Sequence, residues 1–351
     1  MRDVAVVSFS QAPNVRREQN RNEVEILSPV LVDVREKVGL DKSDIDFVCS
    51  GSSDYLAGMP FSFVGGLDGY GAWPPISESH VEMDGAWALY EAWVKLLVGD
   101  IDTALVYAFG KSSLADDVAQ VLTLQQDPYL VAPLWPDAVS LAALQARALL
   151  DGTDRTAADM AAVAVRDRAN AKDNPFAQVA GDFSVDAILA EPYVVSPLHR
   201  SDCPPITDGA CAVVLAAGDR ARALVDNPAW IRGIDHRVEP HQLGVRDLTV
   251  SESTRIAADK ASASGGFDVA ELHAPFTHQS LIVEEALGLG ADTVVNPSGG
   301  ALAANPIMVA GLTRIGEAAQ RILDASAGRA LAHATSGACL QQNMVCVLEG
   351  S

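Results

Sequence analysis

The chain has 351 residues, more than one hydrophobic core usually holds, so two cores or two fused halves are expected. Its formal net charge of −21 repels phosphate backbones and anionic membranes, which argues against both as partners. Five cysteines without C-x-x-C spacing and histidines without ligand spacing argue against disulfides and a metal site. No membrane span or signal peptide is recognisable, so the sequence predicts a cytoplasmic protein.

Apolar runs of strand length recur along the first half, with helical patterns between several of them. The predicted strands are 3–9, 46–49, 102–109 and 210–217. Residues 84–98 predict an amphipathic or largely buried helix. Near-continuous apolar strands that alternate with helices predict a mostly parallel sheet covered on both faces. An insertion at about 114–205, with helices at 138–150 and 156–171, predicts a lid or binding subdomain.

The same alternation restarts after residue 228. The predicted strands are 229–234, 268–274, 293–296, 329–334 and 343–349, and the predicted helices are 250–262, 278–288 and 306–324. The two series resemble one architecture used twice, although residue identity between them is too low to claim a repeat. We therefore predict an N-terminal half, 1–225, that includes the insertion, and a C-terminal half, 226–351.

The stretch HVEMDGAWALYEA, residues 80–92, lies where a strand-like segment becomes a helix. A helix N-terminus stabilises anions, so many α/β enzymes keep a nucleophile at such a junction. Here the junction carries Glu82, Asp84 and Gly85, and no Cys, Ser or Thr. Asp84 is either a helix N-cap, worth roughly 1 kcal/mol, or an acid with a chemical role.

Four segments carry a resemblance to a known family. They are AADMAAVAVRDRANAKDNPFAQ at 157–178, VDAILAEPYVVSPLHRSDCPPITDGACAVVLA at 185–216, ELHAPFTHQSLIVEEALGLG at 271–290 and VNPSGGALAANPIMVAGLTRIGEA at 295–318. In this order they resemble the thiolase superfamily, in particular thiolases of the sterol carrier protein x type and the lipid-transfer-protein group. The resemblance implies an α/β thiolase fold of two similar βαβαβαββ halves, in five αβαβα layers with an inserted loop domain.

The same resemblance implies an active site, and several residues of this chain differ from the catalytic residues of the family. Gly85 and AWALYEA match a C-x-x-G-x-x-A-L-x-x-A helix start, which puts Glu82 at the nucleophilic Cys. A shifted alignment would anchor on Val81 and Glu82, and it also finds no thiol. His273 matches the His of an H-D-C-F segment whose Cys is Pro275 here. Asn305 stands where the family has the His of G-H-P, and an amide cannot take that proton at neutral pH.

Two further positions lie near the glycine turn where other thiolases keep a catalytic Cys. They are Ser336 and Cys339, of which Cys339 is more easily explained as a structural residue. Classical thiolysis by this chain alone is therefore not expected.

Three functions stay open on this basis. The first is a thiolase-like subunit that pairs with a competent thiolase-like chain. The second is an altered enzyme for retro-aldol or thioester cleavage, with Asp84 or Glu82 as base, His273 as acid or oxyanion donor and Asn305 as a positioning amide. The third is a lipid-binding or scaffold protein.

The family also suggests ligands and partners. A coenzyme A thioester is expected as substrate or ligand, with no permanent cofactor, and four cations of the insertion are candidate CoA contacts: Arg166, Arg168, Lys172 and Arg200. The expected assembly is a homo- or heterodimer with a thiolase-like chain. A small OB-fold partner is a further possibility, because a related steroid side-chain aldolase group requires one. That group uses tyrosines near the positions of His273 and Val309, and neither residue is Tyr here.

Overall fold

The structure, a computed structural model, describes residues 2–57, 60–115 and 117–351. The strands of this described part are β1 (Val4–Gln11), β2 (Phe47–Gly51), β3 (Glu78–Val81), β4 (Thr103–Gly110), β5 (Tyr193–Val195), β6 (Leu198–His199), β7 (Ile206–Thr207), β8 (Gly209–Ala217), β9 (Ala229–Val238), β10 (Val269–Leu272), β11 (Val294–Val295), β12 (Asn305–Pro306), β13 (Arg329–Ser336) and β14 (Gln342–Glu349). The helices are α1 (Glu23–Glu36), α2 (Asp54–Ala57), α3 (Phe63–Tyr70), α4 (Gly85–Val98), α5 (Val118–Leu124), α6 (Ala138–Gly152), α7 (Ala157–Asn170), α8 (Val185–Leu189), α9 (Gly218–Leu224), α10 (Glu252–Lys260), α11 (Thr277–Leu287), α12 (Gly300–Ala303) and α13 (Ala310–Leu323).

The main sheet of the described residues has ten strands in the order β11-β10-β13-β14-β9-β1-β8-β4-β2-β3. It consists of two five-stranded halves with the same internal order, joined where β1 pairs with β9. The joint is short, because only Ala5 with Trp230 and Val6 with Ala229 face each other across it. The sequence-based prediction of one architecture used twice corresponds to these two halves.

The prediction of a mostly parallel sheet is wrong. Four pairings in the described sheet are parallel, at β2–β3, β2–β4, β10–β11 and β10–β13. The five central pairings are antiparallel: β8 and β14 run against both of their neighbours, and β1 runs against β9 at the joint. These two strands are as continuously apolar as the parallel ones, since both of their faces are buried. The continuous apolar pattern therefore reflects burial of both strand faces and does not distinguish parallel from antiparallel strands.

Side chains alternate along the strands between a central core and two outer cores. On β8, Val213 and Leu215 face the central core, while Ala212 and Val214 face the outer core beneath α1. On β14, Met344 faces the central core and its neighbours face a third core with α7, α10 and α11. Helices α4 and α13 occupy the central core, so the layers read αβαβα. This arrangement confirms the expected α/β fold class.

The two central helices are rich in small residues, which lets them and the strands approach closely. A Cβ at Gly85 would lie 2.7 Å from the Ala108 Cβ and 2.8 Å from Leu312, and a Cβ at Gly316 would lie 2.1 Å from the Phe9 ring. Helix α4 ends at Gly99, whose φ of 88° is left-handed and suits glycine. Glycine at 85 and 316 thus sets the thickness of the middle layer.

The insertion between β4 and β8 holds α5 to α8 and the short β5–β6 pair. Helix α7 packs against α11 of the second half, and β7 pairs in parallel with β12, so the insertion contacts the C-terminal half. The connection between α9 and β9 contains the predicted boundary between the halves. No helix in the described ranges is long and apolar enough to cross a bilayer.

Replacing Gly316 with alanine tests the close packing of the middle layer. We expect Gly316→Ala to lower the free energy of unfolding by roughly 1–3 kcal/mol, because overpacking against Phe9 outweighs the roughly 1 kcal/mol that alanine gains in a helix. Gly244→Ala is the control, since a Cβ there meets nothing within 4 Å. Urea unfolding of both variants measures the effect. Equal stabilities would show that α13 lies farther from β1 than described.

Candidate functional site

Asp84 binds the N-termini of both central helices. Its side chain is 2% exposed, and its Oδ1 accepts 2.9 Å hydrogen bonds from the backbone N–H groups of Ala86 in α4 and Leu312 in α13. Its Oδ2 accepts a third, also of 2.9 Å, from Gly311 N–H. Burial raises the pKa of the Asp84 carboxyl, and the three N–H donors oppose that rise. One carboxylate therefore caps two helices that are more than 200 residues apart in sequence.

Glu82 occupies a different environment, at the surface beside the edge strand β3. Its side chain is 47% exposed, and its Oε1 accepts a 2.7 Å hydrogen bond from Asp54 N–H at the start of α2. Its Oε2 lies 3.3 Å from Nε2 of His80, whose ring stacks on Phe63. The residue aligned with the family nucleophile therefore contacts the first-half surface, where it caps a short helix.

His273 and Asn305 form a buried polar pair between the end of β10 and β12. The His273 Nε2 lies 3.2 Å from the Asn305 Oδ1, and the His273 Nδ1 accepts a 3.4 Å hydrogen bond from Thr335 N–H. Because Nδ1 is the acceptor, the ring proton sits on Nε2 and is donated to Asn305. Burial lowers the pKa of His273 to about 4, and Arg314 contributes to the decrease. The pair is neutral near pH 7, and the Asn305 amide nitrogen donates to no side chain or backbone group of the described residues.

A buried ion pair lies behind this site. Arg314 of α13 donates a 3.0 Å hydrogen bond to Glu271, two residues before His273, and Ser298 donates a 2.6 Å hydrogen bond to the same carboxylate oxygen. Burial raises the pKa of Glu271 to about 7, while Arg314 lowers it and Glu317 raises it. The Arg314 charge also acts on Asp84 and His273, whose pKa values it lowers. The Arg314 guanidinium therefore couples Asp84, which caps the helices, electrostatically to the His273–Asn305 pair.

None of the cysteines offers a ready thiolate. Burial raises the pKa of Cys203 and Cys346 to about 12 and that of Cys339 to about 11, and it raises those of Cys49 and Cys211 further. Cys211 lies next to the site, where its Sγ faces the Val309 carbonyl at 3.8 Å, but it is fully enclosed in the central core. Cys339 donates to the Leu141 carbonyl and packs in a small apolar cluster.

The candidate CoA contacts divide into two groups. Arg166 is held by Asp167 at 2.8 Å and Glu284 at 3.0 Å, and Arg168 is buried, with one N–H on the Ser201 carbonyl. Both help to pack α7 into the insertion. Lys172, paired with Asp182 at 2.6 Å, and Arg200 lie toward solvent. Of the four cations, Lys172 and Arg200 have charged groups that a ligand could contact while the side chains around α7 keep their positions.

Sequence reasoning missed Arg314, Glu271 and the contact of Thr335 with His273. Arg314 had a usable signal, since a charge within the apolar stretch AGLTRIGEA of a core helix requires a buried counter-charge. The capping of α13 by Asp84 had no such signal, because nothing local to residue 84 indicates a helix that begins at Ala310.

The fold and the site together define a thiolase-like protein, and comparisons with known proteins agree. No family model matches the chain. The benzoylsuccinyl-CoA thiolase subunit BbsB of Thauera aromatica is 28% identical over 57% of this chain, a match that spans 60% of that subunit. An acetyl-CoA acetyltransferase of Methanothermobacter thermautotrophicus is 25% identical over 90% of both chains.

Two further comparisons concern lyase chemistry. The 17-hydroxy-3-oxo-4-pregnene-20-carboxyl-CoA lyase of Mycobacterium tuberculosis is 26% identical over 66% of this chain and 62% of that protein. Among solved structures, a chain of the Ltp2-ChsH2(DUF35) aldolase superposes with a TM-score of 0.82 at 20% identity, covering 99% of this chain and 97% of that chain. The superposition shows the fold, and the sequence matches confirm the resemblance: this chain is a relative of the thiolases.

Removing the Asp84 carboxylate tests its double capping role. We expect Asp84→Ala to lower the free energy of unfolding by roughly 2–4 kcal/mol, because three buried N–H groups lose their acceptor. Asp137→Ala is the matched control, since Asp137 caps α6 alone and is partly exposed, and we expect about 1 kcal/mol there. Chemical denaturation measures both. Equal losses would contradict a shared cap.

The buried histidines predict acid sensitivity. Burial lowers the folded-state pKa of His273 to about 4 and those of His278 and His333 to about 3. A histidine with a lowered folded pKa contributes stability above its unfolded pKa of about 6.5, and that contribution is lost as pH falls toward 4. We expect the free energy of unfolding to fall by several kcal/mol over this window, less an opposing gain from protonation of Glu271.

The variant that checks this is His333→Gln, which keeps a donor toward Asn343 and cannot bind the proton. Its stability, followed by denaturation from pH 7 to 4, should depend on pH less steeply than that of the wild-type protein, by up to about 1.4 kcal/mol per pH unit. An unchanged slope would mean that His333 is already charged or solvated in the folded protein.

Proposed function

We propose that this chain is a thiolase-like subunit that handles acyl-CoA thioesters, with lipid or sterol side-chain thioesters as the favoured class, and that a second chain completes the active site. The observation that carries the proposal is the lack of a reactive thiol, although the surrounding fold is kept. The enclosed cysteines have raised pKa values, and the aligned nucleophile position carries the exposed Glu82. Acyl transfer through a thioester intermediate needs a thiolate.

The polar pair supports a role in holding a thioester. A developing enolate or oxyanion is stabilised by fixed neutral donors in a site closed to water. His273 and Asn305 are buried and neutral, and the Asn305 amide nitrogen is free to donate. His273 is a poor proton donor or acceptor for catalysis near pH 7 because its pKa is far below that pH. A positioning function fits these properties better than acid–base chemistry does.

The known relatives support a partner chain. BbsB is by its name a subunit of a thiolase, and the superposed aldolase structure contains Ltp2 together with a DUF35 protein. We propose that this chain likewise works with a second chain, either a thiolase-like one or a small OB-fold one. Such a partner would supply the groups missing here.

An altered enzyme that acts by itself is the second candidate. The similarity to a CoA lyase and the intact His273–Asn305 pair favour it. In this case Glu82 or Asp84 would serve as base for retro-aldol or thioester cleavage. Asp84 is poorly suited, because its oxygens already accept three backbone hydrogen bonds and proton transfer would weaken both helix caps.

Activity assays of the chain alone and with its co-purified partner test the proposal. We expect no CoA release from short-chain or steroid acyl-CoA by the chain alone, and turnover by the complex. Asn305→Ala in this chain should lower kcat/KM of the complex by about 100- to 1000-fold, because one oxyanion donor is lost. Arg255→Ala, on the exposed surface of α10, is the control and should leave kcat/KM unchanged.

The alternative predicts the opposite pattern. Turnover by the chain alone that Glu82→Gln abolishes, with an unchanged melting temperature, would overturn the subunit proposal. Isothermal titration with a non-cleavable acyl-CoA thioether separates binding from chemistry in both cases.

A further inference from the structure

Large apolar side chains are exposed on one part of the first half. We define the apolar face by six side chains that are about half exposed or more: Tyr55, Leu114, Leu124, Tyr129, Leu134 and Trp135. The exposed fractions of Tyr129 and Leu134 are 86% and 79%, so these side chains contribute little to the core. Scattered apolar residues are common on surfaces, whereas such a concentration marks an interaction site.

Hydrogen bonds join the elements of the apolar face into one surface. The Gln125 side chain at the end of α5 donates to the Ser53 Oγ at 3.2 Å, just before α2. Thr123 and Gln126 both donate to the Pro136 carbonyl at 3.1 Å, which ties α5 to the residue after Trp135. Leu56 and Leu114 line one small cavity. The exposed side chains therefore belong to neighbouring segments.

The segments that form the apolar face carry charges of one sign. Residues 43–94 and 112–146 contain no Lys and no Arg. Four carboxylates in these segments are held in place by backbone N–H donors: Asp54, Asp117, Asp127 and Asp137. Lys111 lies at the border of the face, and its ammonium group is engaged by the Arg21 carbonyl. The rim is therefore acidic.

We infer that the apolar face is the docking surface for a different protein chain, one that presents an apolar centre surrounded by lysines and arginines. Complementary charge speeds encounter and suppresses wrong partners, and central aromatic and aliphatic side chains supply most of the affinity. The inference rests on the proposed function, because it names the surface and the chemistry of the second chain.

A second copy of this chain is a poor occupant. In a two-fold pairing through the apolar face, the same surface would meet itself, and each copy would bring carboxylates with no lysine or arginine of these segments to oppose them. An anionic membrane is disfavoured for the same reason. A chain with a basic rim satisfies both the apolar centre and the acidic edge.

The test measures binding of the partner that co-purifies with the tagged full-length chain and restores turnover. Leu134→Asp puts a charge on the apolar face at one of its most exposed side chains, and we expect it to raise the dissociation constant at least tenfold. Val98→Asp is the matched control. Val98 is the last residue of α4, lies outside the apolar face and is 71% exposed, so the dissociation constant of this variant should stay within twofold of wild type. Asp127→Asn should reduce the salt dependence of binding.

Three other outcomes would each overturn the inference. If the partner binds Leu134→Asp as tightly as wild type, docking occurs elsewhere, while the proposed function stands. If sedimentation shows a dimer of the free chain that Leu134→Asp converts to monomer, a second copy covers the face. If no chain restores turnover, the proposed function fails and the face has no such partner. Unchanged melting temperatures establish that both variants are folded.

Discussion

The central layer depends on one buried carboxylate. Helices α4 and α13 begin at nearly the same point, so their unpaired N–H groups and positive dipole ends would repel each other without an anion between them. Asp84 supplies that anion and satisfies donors from both helices. Because the two halves of the sheet share only a short joint at β1 and β9, this contact and the packing of the two helices hold the halves together, along with the contacts of the insertion to α11 and β12.

The same constraint limits the chemistry. At this junction the positive ends of α4 and α13 act on a carboxylate whose oxygens already accept three backbone hydrogen bonds. The nearby His273 is kept neutral by burial and by the Arg314 charge, and Glu271 neutralises that cation. The site is consequently a set of fixed dipoles and compensated charges. Such a site is suited to orienting a polar ligand.

The sequence was informative where local pattern decides structure. It predicted the strands that became β1, β4, β8, β9 and β14 and the helices that became α4, α7 and α13, because these elements are long and apolar. It could not give the direction of β8 and β14, since strands buried on both faces look alike. His273 and Asn305 were found through family motifs, but their hydrogen bond, and the second helix held by Asp84, depend on contacts between distant parts of the chain.

The apolar face adjoins the turn that leads into α13. Leu56 and Leu114 line a cavity together with Ile307 and Met308, residues of the turn just before α13. The Met308 carbonyl accepts a 2.9 Å hydrogen bond from Gly85 N–H, next to Asp84. A chain seated on the apolar face would therefore contact a wall that is continuous with the start of both central helices.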